Sequence, residues 1–377
     1  MDRKKKITKT MRIGFDAKRI FFNYSGLGNY GRNIFSALYN SFPDNDYFLF
    51  TPEKNDNFFP KGQYGIVIPH GIYSSFPSLW KYRHIGHDAK KYDLDIYHGL
   101  SNELPRDIDI SNAKRVVTIH DTIFMRYPQW YKWHDRMFYK QKTAFACKKA
   151  DIIIAASQQT KEDLIHFFNV KENKIQVIYQ PCNPVFATTP TENQKQEIKN
   201  KLNLPDRFIL MVGNIEKRKN IVNVIKSIQH HNINIPLVIV GKESKYALKL
   251  KKQIKQNNIQ NIYFHHDVHS LDLPAVYALA SIFIYPSFFE GFGIPIIEAL
   301  SCQTPIITSN TSCFKETGGN AVLYVNPDNE KEIAQAIYGI LYDDELRKNL
   351  IQKGKEQIKK FSPNLIAEKI MNLYKVL

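Results

Sequence analysis

The feature that most constrains this chain is a rhythm that runs twice. Short apolar runs alternate with stretches of helical period, and the pattern breaks once, between Gln180 and Pro205. Such alternation specifies βαβ units and parallel sheets. In the first half the strand candidates are 13–16, 47–51, 66–68, 95–98, 115–120, 151–156 and 175–179, with helices at 30–41, 78–91, 130–149 and 158–168. The broken stretch holds Pro181, Pro184, Pro190 and Pro205 among polar residues and marks a domain boundary. Beyond it, strands at 208–213, 237–241, 262–265, 281–285, 305–308 and 322–325 alternate with helices at 219–229, 244–256, 271–279, 295–300, 331–342 and 363–376. The expected class is α/β: two Rossmann-like, doubly wound domains facing a central cleft. Ligands of such sheets bind beyond the carboxyl ends of the strands.

Length agrees, since 377 residues exceed the ~250–300 at which one core stops growing. The expected division is a basic tail at 1–11, an N-terminal domain at 12–185, a linker at 186–206, a C-terminal domain at 207–362 and a helix at 363–377 that packs back on the first domain.

The net charge is +16. Residues 1–200 carry 30 basic and 20 acidic groups, a difference of +10, against 22 and 16, or +6, for the rest. A field of that sign attracts phosphorylated small molecules, anionic membranes or nucleic acid. No nucleic-acid-binding module is recognisable, so nucleic acid is not an expected partner. Cys147, Cys182, Cys302 and Cys313 form no C-x-x-C pair and no cluster of zinc spacing, and read as free thiols of a reducing compartment. The charged N-terminus lacks the apolar core of a signal peptide, and no run reaches the ~18–20 apolar residues of a membrane span. A cytoplasmic protein is expected, peripheral on the inner face of a membrane if its basic, aromatic helices dock there.

Four motifs carry chemistry. Ser25-Gly26-Leu27-Gly28-Asn29-Tyr30-Gly31 opens a helix after the first strand, where glycines admit a ligand and helix N–H groups attract anions. It matches G-x-G-x-x-G, and Glu53 follows the second strand, so a dinucleotide-dependent oxidoreductase is an alternative. The nine residues between Asp16 and Gly26 speak against the tight turn which that reading needs. His120-Asp121 ends a strand, where an imidazole can bond a hydroxyl or phosphate and Asp121 can orient it or bind substrate. No third ligand makes this pair a metal site.

Gly213-Asn214-Ile215-Glu216-Lys217-Arg218-Lys219-Asn220 places consecutive cations at a helix start. They oppose the helix dipole there unless a pyrophosphate sits against them. The most specific string is Glu290-Gly291-Phe292-Gly293-Ile294-Pro295-Ile296-Ile297-Glu298. Its glycines expose backbone N–H groups and Pro295 suits a first helical turn. Glu298 lies in an apolar stretch, where a carboxylate needs a partner such as a ribose hydroxyl.

Glu290 to Glu298 resembles the E-x7-E motif of retaining GT-B glycosyltransferases, and the chain is similar to glycosyltransferase family 4. The likeness runs through Ser309-Asn310, Lys315-Glu316, Gly318 to Ala321 and Val325-Asn326-Pro327. It includes Arg218-Lys219-Asn220, the L-P-x-x-Y-x-x-A helix at Leu273 to Ala280, the Gly26-Leu27-Gly28 loop and His120-Asp121 through Arg126-Tyr127-Pro128. Some members carry a basic residue after the strand glycine; here it is Asn214.

The resemblance implies hexosyl transfer from a nucleotide sugar to a glycan or lipid-linked acceptor of surface polysaccharide or glycolipid synthesis, without a metal or other cofactor. GDP-mannose is the expected donor, with UDP-glucose and UDP-N-acetylglucosamine as alternatives. Arg218, Lys219 and the N–H groups near Gly293 would stabilise the leaving diphosphate, and Glu290 the sugar. His120 would touch the sugar or β-phosphate, and Glu298 the ribose. Gly213, Gly291, Phe292 and Ile294 would complete the donor site, and Gly26, Gly28 and Asp121 the acceptor-side loops. Trp80, Trp130 and Trp133 lie in basic, aromatic helices that suit an anionic membrane face; packing of Trp130, Trp133 and Met137 in the core is the alternative.

Overall fold

The structure is a computed structural model that describes residues 10–23, 26–54 and 62–377. Ser25 and all but the last two residues of the expected tail lie outside the described residues. The chain forms two units: Met1–Pro181 with Pro363–Leu377, and Cys182–Ser362.

In the first unit β1 (Arg12–Asp16), β2 (Asp46–Phe50), β3 (Gly65–Val67), β4 (Ile96–Gly99), β5 (Lys114–Ile119), β6 (Ile152–Ala155) and β7 (Ile175–Val177) form one sheet of order 3-2-1-4-5-6-7. Every pairing is parallel, with Gly14 opposite both Phe48 and Tyr97. Both faces are covered. Ile13, Phe15, Leu49 and Val116 pack with helix Gly26–Ser41 and helix Pro363–Lys375, while Phe50, Val117, Ile119 and Ile153 pack with Trp80, Ile85 and Ala146. Burial on two faces explains why these strands read as continuous apolar runs.

The second unit contains β8 (Ile209–Val212), β9 (Leu237–Val240), β10 (Ile262–His265), β11 (Ile282–Tyr285), β12 (Ile306–Ser309) and β13 (Leu323–Val325), all parallel, in the order 10-9-8-11-12-13. The strand order reverses between β1 and β4 in one sheet and between β8 and β11 in the other. Those reversals open the crevices in which doubly wound sheets hold ligands.

Two features differ from the sequence reading. Residues 186–206, read as a linker, hold the helix Glu192–Lys201, which belongs to the second unit. Thr191 and Gln194 close a capping box on it, and Lys201 pairs with Asp272 at 2.8 Å. Only Ile198 of this helix is buried, so it lacks the apolar stripe that sequence reading relies on. The stretch 78–91 is two helices, Pro77–Arg83 and Ile85–Lys91, broken at His84 (φ −137°, ψ −9°). The C-terminal helix Pro363–Lys375 packs on helix Gly26–Ser41, and its Tyr374 hydroxyl lies 2.6 Å from His98 Nδ1. The four cysteines are unpaired thiols.

Candidate active site

At the carboxyl edge of β8 and β11 the second unit gathers charge. Gly213, directly after β8, has φ +132°, a conformation that L side chains rarely adopt. The Lys219 ammonium lies close by, with Cε 3.4 Å from where a Gly213 Cβ would stand. Lys217–Lys219 form a single 3-10 turn, and Asn220, in the left-handed conformation, starts the helix Ile221–His230. Asn214 is exposed.

Lys219 Nζ donates to Glu290 Oε1 at 2.7 Å and to the Tyr285 hydroxyl at 2.5 Å. Arg218 forms an ion pair with the other oxygen of Glu290 and donates to the Phe289 carbonyl at 3.0 Å. Lys219, Glu290 and Tyr285 are all buried. Burial pushes the Glu290 carboxyl up, but Arg218 and Lys219 overrule it and hold it at about 2. Burial lowers the Lys219 ammonium against the pull of Glu290, with Arg218 adding to the fall. Two cations thus share one buried carboxylate, and half-exposed Glu216 reaches Arg218 only at 3.3 Å.

The Glu290 loop is fixed from behind, because Ser312 Oγ donates to the Glu290 carbonyl at 2.8 Å. Gly293 (φ +93°) starts the helix Ile294–Ser301, with Pro295 in its first turn. Phe292 is buried and meets Phe361 edge-on at 5.7 Å. Glu298 is buried too, and its Oε2 accepts from the Tyr277 hydroxyl at 2.9 Å. Burial lifts its carboxyl to about 7, against the lowering effect of Tyr277. The partner that an apolar stretch demands for this carboxylate is therefore a tyrosine of helix Leu273–Leu279. No hydrogen bond or ion pair among the described residues joins Glu298 to Arg218, Lys219 or Glu290.

In the first unit His120 follows β5 and is buried. Its Nε2 lies 2.8 Å from the Leu100 carbonyl, which fixes the proton there, and its Nδ1 is 3.3 Å from the Gln180 amide nitrogen. Burial drives the imidazole down to about 4, against the Leu100 bond. Asp121 Oδ1 takes the Ile123 N–H at 3.1 Å, so this oxygen shapes the turn that follows. Gly26 has open space where a Cβ would stand, whereas at Gly28 a Cβ would lie 1.7 Å from the Asn23 carbonyl oxygen. Close approach of the chain to itself, not to a ligand, demands glycine at 28.

Sequence reasoning missed one feature of this unit. A cavity of about 370 Å³ lies against Asp16, the last residue of β1. Lys81 bridges Asp16 Oδ2 at 3.0 Å and Glu103 Oε1 at 2.5 Å, and Lys142 also pairs with Glu103. Burial raises the Glu103 carboxyl, yet the two lysines hold it at about 2. Phe22, Leu104, Phe138 and Phe145 give the cavity an apolar wall. Its lining spans positions 16 to 145, and no local motif announces it.

The tryptophans divide. Trp80 is fully buried and donates to Asp88 at 2.6 Å, so it offers nothing to a membrane. Trp130 stacks on Tyr127 at 4.2 Å. Trp133 is 77% exposed, with Met137, Phe138 and Tyr139 exposed beside it on one helix, so Trp133 and Met137 are not core residues. No helix among the described residues is long and apolar enough to cross a membrane.

Residues 25–185 match the sequence model of Glycosyltransferase Family 4, and residues 192–357 that of the glycosyl transferases group 1. The chain is 30% identical over 297 residues to the O-antigen chain mannosyltransferase B of Escherichia coli, covering 77% of this chain and 76% of that one. It is 33% identical over 246 residues to the O-antigen chain mannosyltransferase RfbU of Salmonella typhimurium, covering 62% and 66%. Among solved structures, Anabaena Alr3699/HepE in complex with UDP-glucose superposes with a TM-score of 0.76 at 15% identity, over 97% of this chain and 100% of that one. Sucrose-phosphate synthase from Thermosynechococcus elongatus superposes at 0.75 and 19% identity, over 97% and 98%. These two share the GT-B fold with this chain.

Proposed function

We propose that this chain, which belongs to glycosyltransferase family 4, transfers a mannosyl unit from GDP-mannose to a glycan acceptor of a surface polysaccharide, with retention at the anomeric carbon. The transfer chemistry rests on one observation: Arg218 and Lys219 converge on the buried Glu290 carboxylate at the point where the strand order reverses. Cleaving a glycosyl–phosphate bond builds negative charge on the departing diphosphate. Cations already held in place stabilise that charge without reorganising. A donor diphosphate takes over part of the cationic charge that Glu290 now neutralises, and the freed carboxylate oxygens accept from the sugar hydroxyls. Gly213 and Gly291 let the donor approach the backbone, and the N–H groups at Gly293 and Ile294 add anion-binding dipoles. Glu298 binds the ribose and His120, as a neutral imidazole, bonds the donor. No step is assigned to a metal or other cofactor.

Mannose is favoured because the two relatives compared above are O-antigen chain mannosyltransferases. The 370 Å³ cavity, with its apolar wall and its lysines, suits a glycan carried on a lipid diphosphate. The exposed Trp133 helix, with Arg136 and Lys140 between its aromatic residues, suits the anionic inner face of a membrane. We place the protein there, on the cytoplasmic side, and assign no nucleic-acid partner.

The deciding experiment measures binding and slow hydrolysis of GDP-mannose, UDP-glucose, UDP-N-acetylglucosamine and NAD(H), each with and without chelator. Engagement of GDP-mannose that chelator leaves unchanged is the expected result. Preference for a UDP-sugar replaces the donor and keeps the class, whereas binding of NAD(H) alone overturns the reading.

A further inference from the structure

The geometry points to a binding site for a zinc-class divalent ion in the first unit, built from His70, His84 and Asp88. It shares no residue with the Arg218–Lys219–Glu290 cluster. One ligand atom from each of the three residues lies within 4.8 Å of the other two.

The fold brings them together from two directions. His70 precedes the 3-10 helix Gly71–Ser75, on the segment that follows edge strand β3. His84 is the residue at which helices Pro77–Arg83 and Ile85–Lys91 meet. Asp88 lies one turn further on, and its N–H bonds the His84 carbonyl at 3.3 Å. A His and an Asp four residues apart on one turn share a face.

Three details go beyond proximity. Asp88 is 3% exposed, a depth at which a carboxylate needs a strong partner. Its Oδ2 is held by the Trp80 indole N–H at 2.6 Å, the kind of outer bond that orients a ligand carboxylate. Its Oδ1 lies 4.0 Å from His70 Nε2, too far for a hydrogen bond. An ion fits between such atoms: two donors each bound at ~2.0–2.1 Å in a tetrahedral site sit roughly 3.3 Å apart. Closing 4.0 Å to that distance needs less than an ångström, and the 58% exposed His70 side chain can supply it by rotation. The His84 ring is steadied between Tyr73, stacked at 4.2 Å, and His87, stacked at 4.8 Å.

Two imidazoles and one carboxylate select the ion. Calcium and magnesium prefer oxygen ligands throughout, whereas zinc, cobalt and nickel accept this set with water completing the shell. The bound ion clamps the His84 break to the segment after β3. Ser78, Lys81 and Tyr82 on the helix before the break line the 370 Å³ cavity, so the clamp steadies one of its walls.

The test uses the full chain without a histidine tag, stripped with chelator and desalted. Zinc is titrated by calorimetry and cobalt by visible absorption. We expect one ion per chain, four- or five-coordinate cobalt bands, and a rise in Tm of roughly 5–10 °C when zinc stands at a hundredfold excess over its Kd. His70→Ala and His84→Ala should each weaken zinc binding at least tenfold. His70→Ala decides the matter, because its exposed side chain can be removed without disturbing packing, and its metal-free Tm should equal that of the parent chain. Absence of zinc binding to the parent, or equal binding by the parent and His70→Ala, overturns the proposal.

Discussion

Lys219 Nζ lies 2.7 Å from Glu290 Oε1, across 71 residues of sequence and inside a protein interior. The proposed function assigns this buried cation, which also bonds the Tyr285 hydroxyl, to the departing diphosphate. Lys219→Met should lower kcat by about 10²-fold or more, the usual cost of removing one preorganised charge-stabilising donor. Donor Kd should rise by much less, because Arg218 remains. Steady-state kinetics beside a donor titration check this, and an equal loss in kcat and affinity would contradict the assignment.

Glu298 gives a pH signature. Burial raises its carboxyl from 4.5 to about 7 in the folded state. Between those values the folded chain holds a proton that the unfolded chain releases, so stability falls as pH rises from about 4.5 to about 7 and then levels. At 1.36 kcal/mol per pKa unit, the full span amounts to about 3 kcal/mol. Urea unfolding of the parent and of Glu298→Gln across that window should show the slope in the parent and its loss in the variant.

His120 has the opposite sign. Its folded imidazole titrates at about 4 against 6.5 when unfolded, because burial disfavours the charged ring. The unfolded chain then binds the extra proton, and stability is lost as pH falls from about 6.5 to about 4. His120→Gln should reduce that acid sensitivity, by up to about 3 kcal/mol at pH 4. The same unfolding experiment, followed over the lower range, measures it.

Gly26 and Gly28 separate two uses of glycine. Gly28→Ala forces a Cβ to within 1.7 Å of the Asn23 carbonyl and should destabilise by about 1–3 kcal/mol. Gly26→Ala meets open space at the first residue of a helix and should be neutral or stabilising, by up to about 1 kcal/mol. Thermal unfolding of the two variants distinguishes them.

Trp133 tests the membrane face. Trp133→Ser with Phe138→Ser should cut co-sedimentation with anionic vesicles severalfold, while the free energy of unfolding changes by only the few tenths of a kcal/mol typical of exposed sites. Vesicle binding unchanged by the two substitutions would remove this helix from the contact.

Thirteen strand candidates in the sequence correspond to β1 through β13. Most of these strands are buried on both faces and read as short apolar runs that periodicity detects, while the edge strands β7 and β10 each expose one residue. Helix Glu192–Lys201 escaped because it buries little beyond Ile198. The break at His84 escaped because apolar and polar residues keep helical spacing on both sides of it. Arg218, Lys219 and Glu290 were legible because a charge run at a helix start and an acid beside paired glycines are locally anomalous. The partner of Glu298 was not legible. Its place in an apolar stretch predicts that a partner exists, but only packing reveals that Tyr277 is that partner.

Two α/β units, the cationic character of the Lys217–Asn220 turn and the Glu290–Glu298 string were legible along the chain, since each depends on residues near one another in sequence. Tertiary structure alone decided that Glu290 neutralises both Arg218 and Lys219, and that Trp80 is core while Trp133 faces solvent. It alone placed Lys81 between Asp16 and Glu103 and drew His70 toward Asp88. Those relationships depend on strand order and on the direction of each helix face. Periodicity sets which residues of an element are buried, but not which distant element buries them.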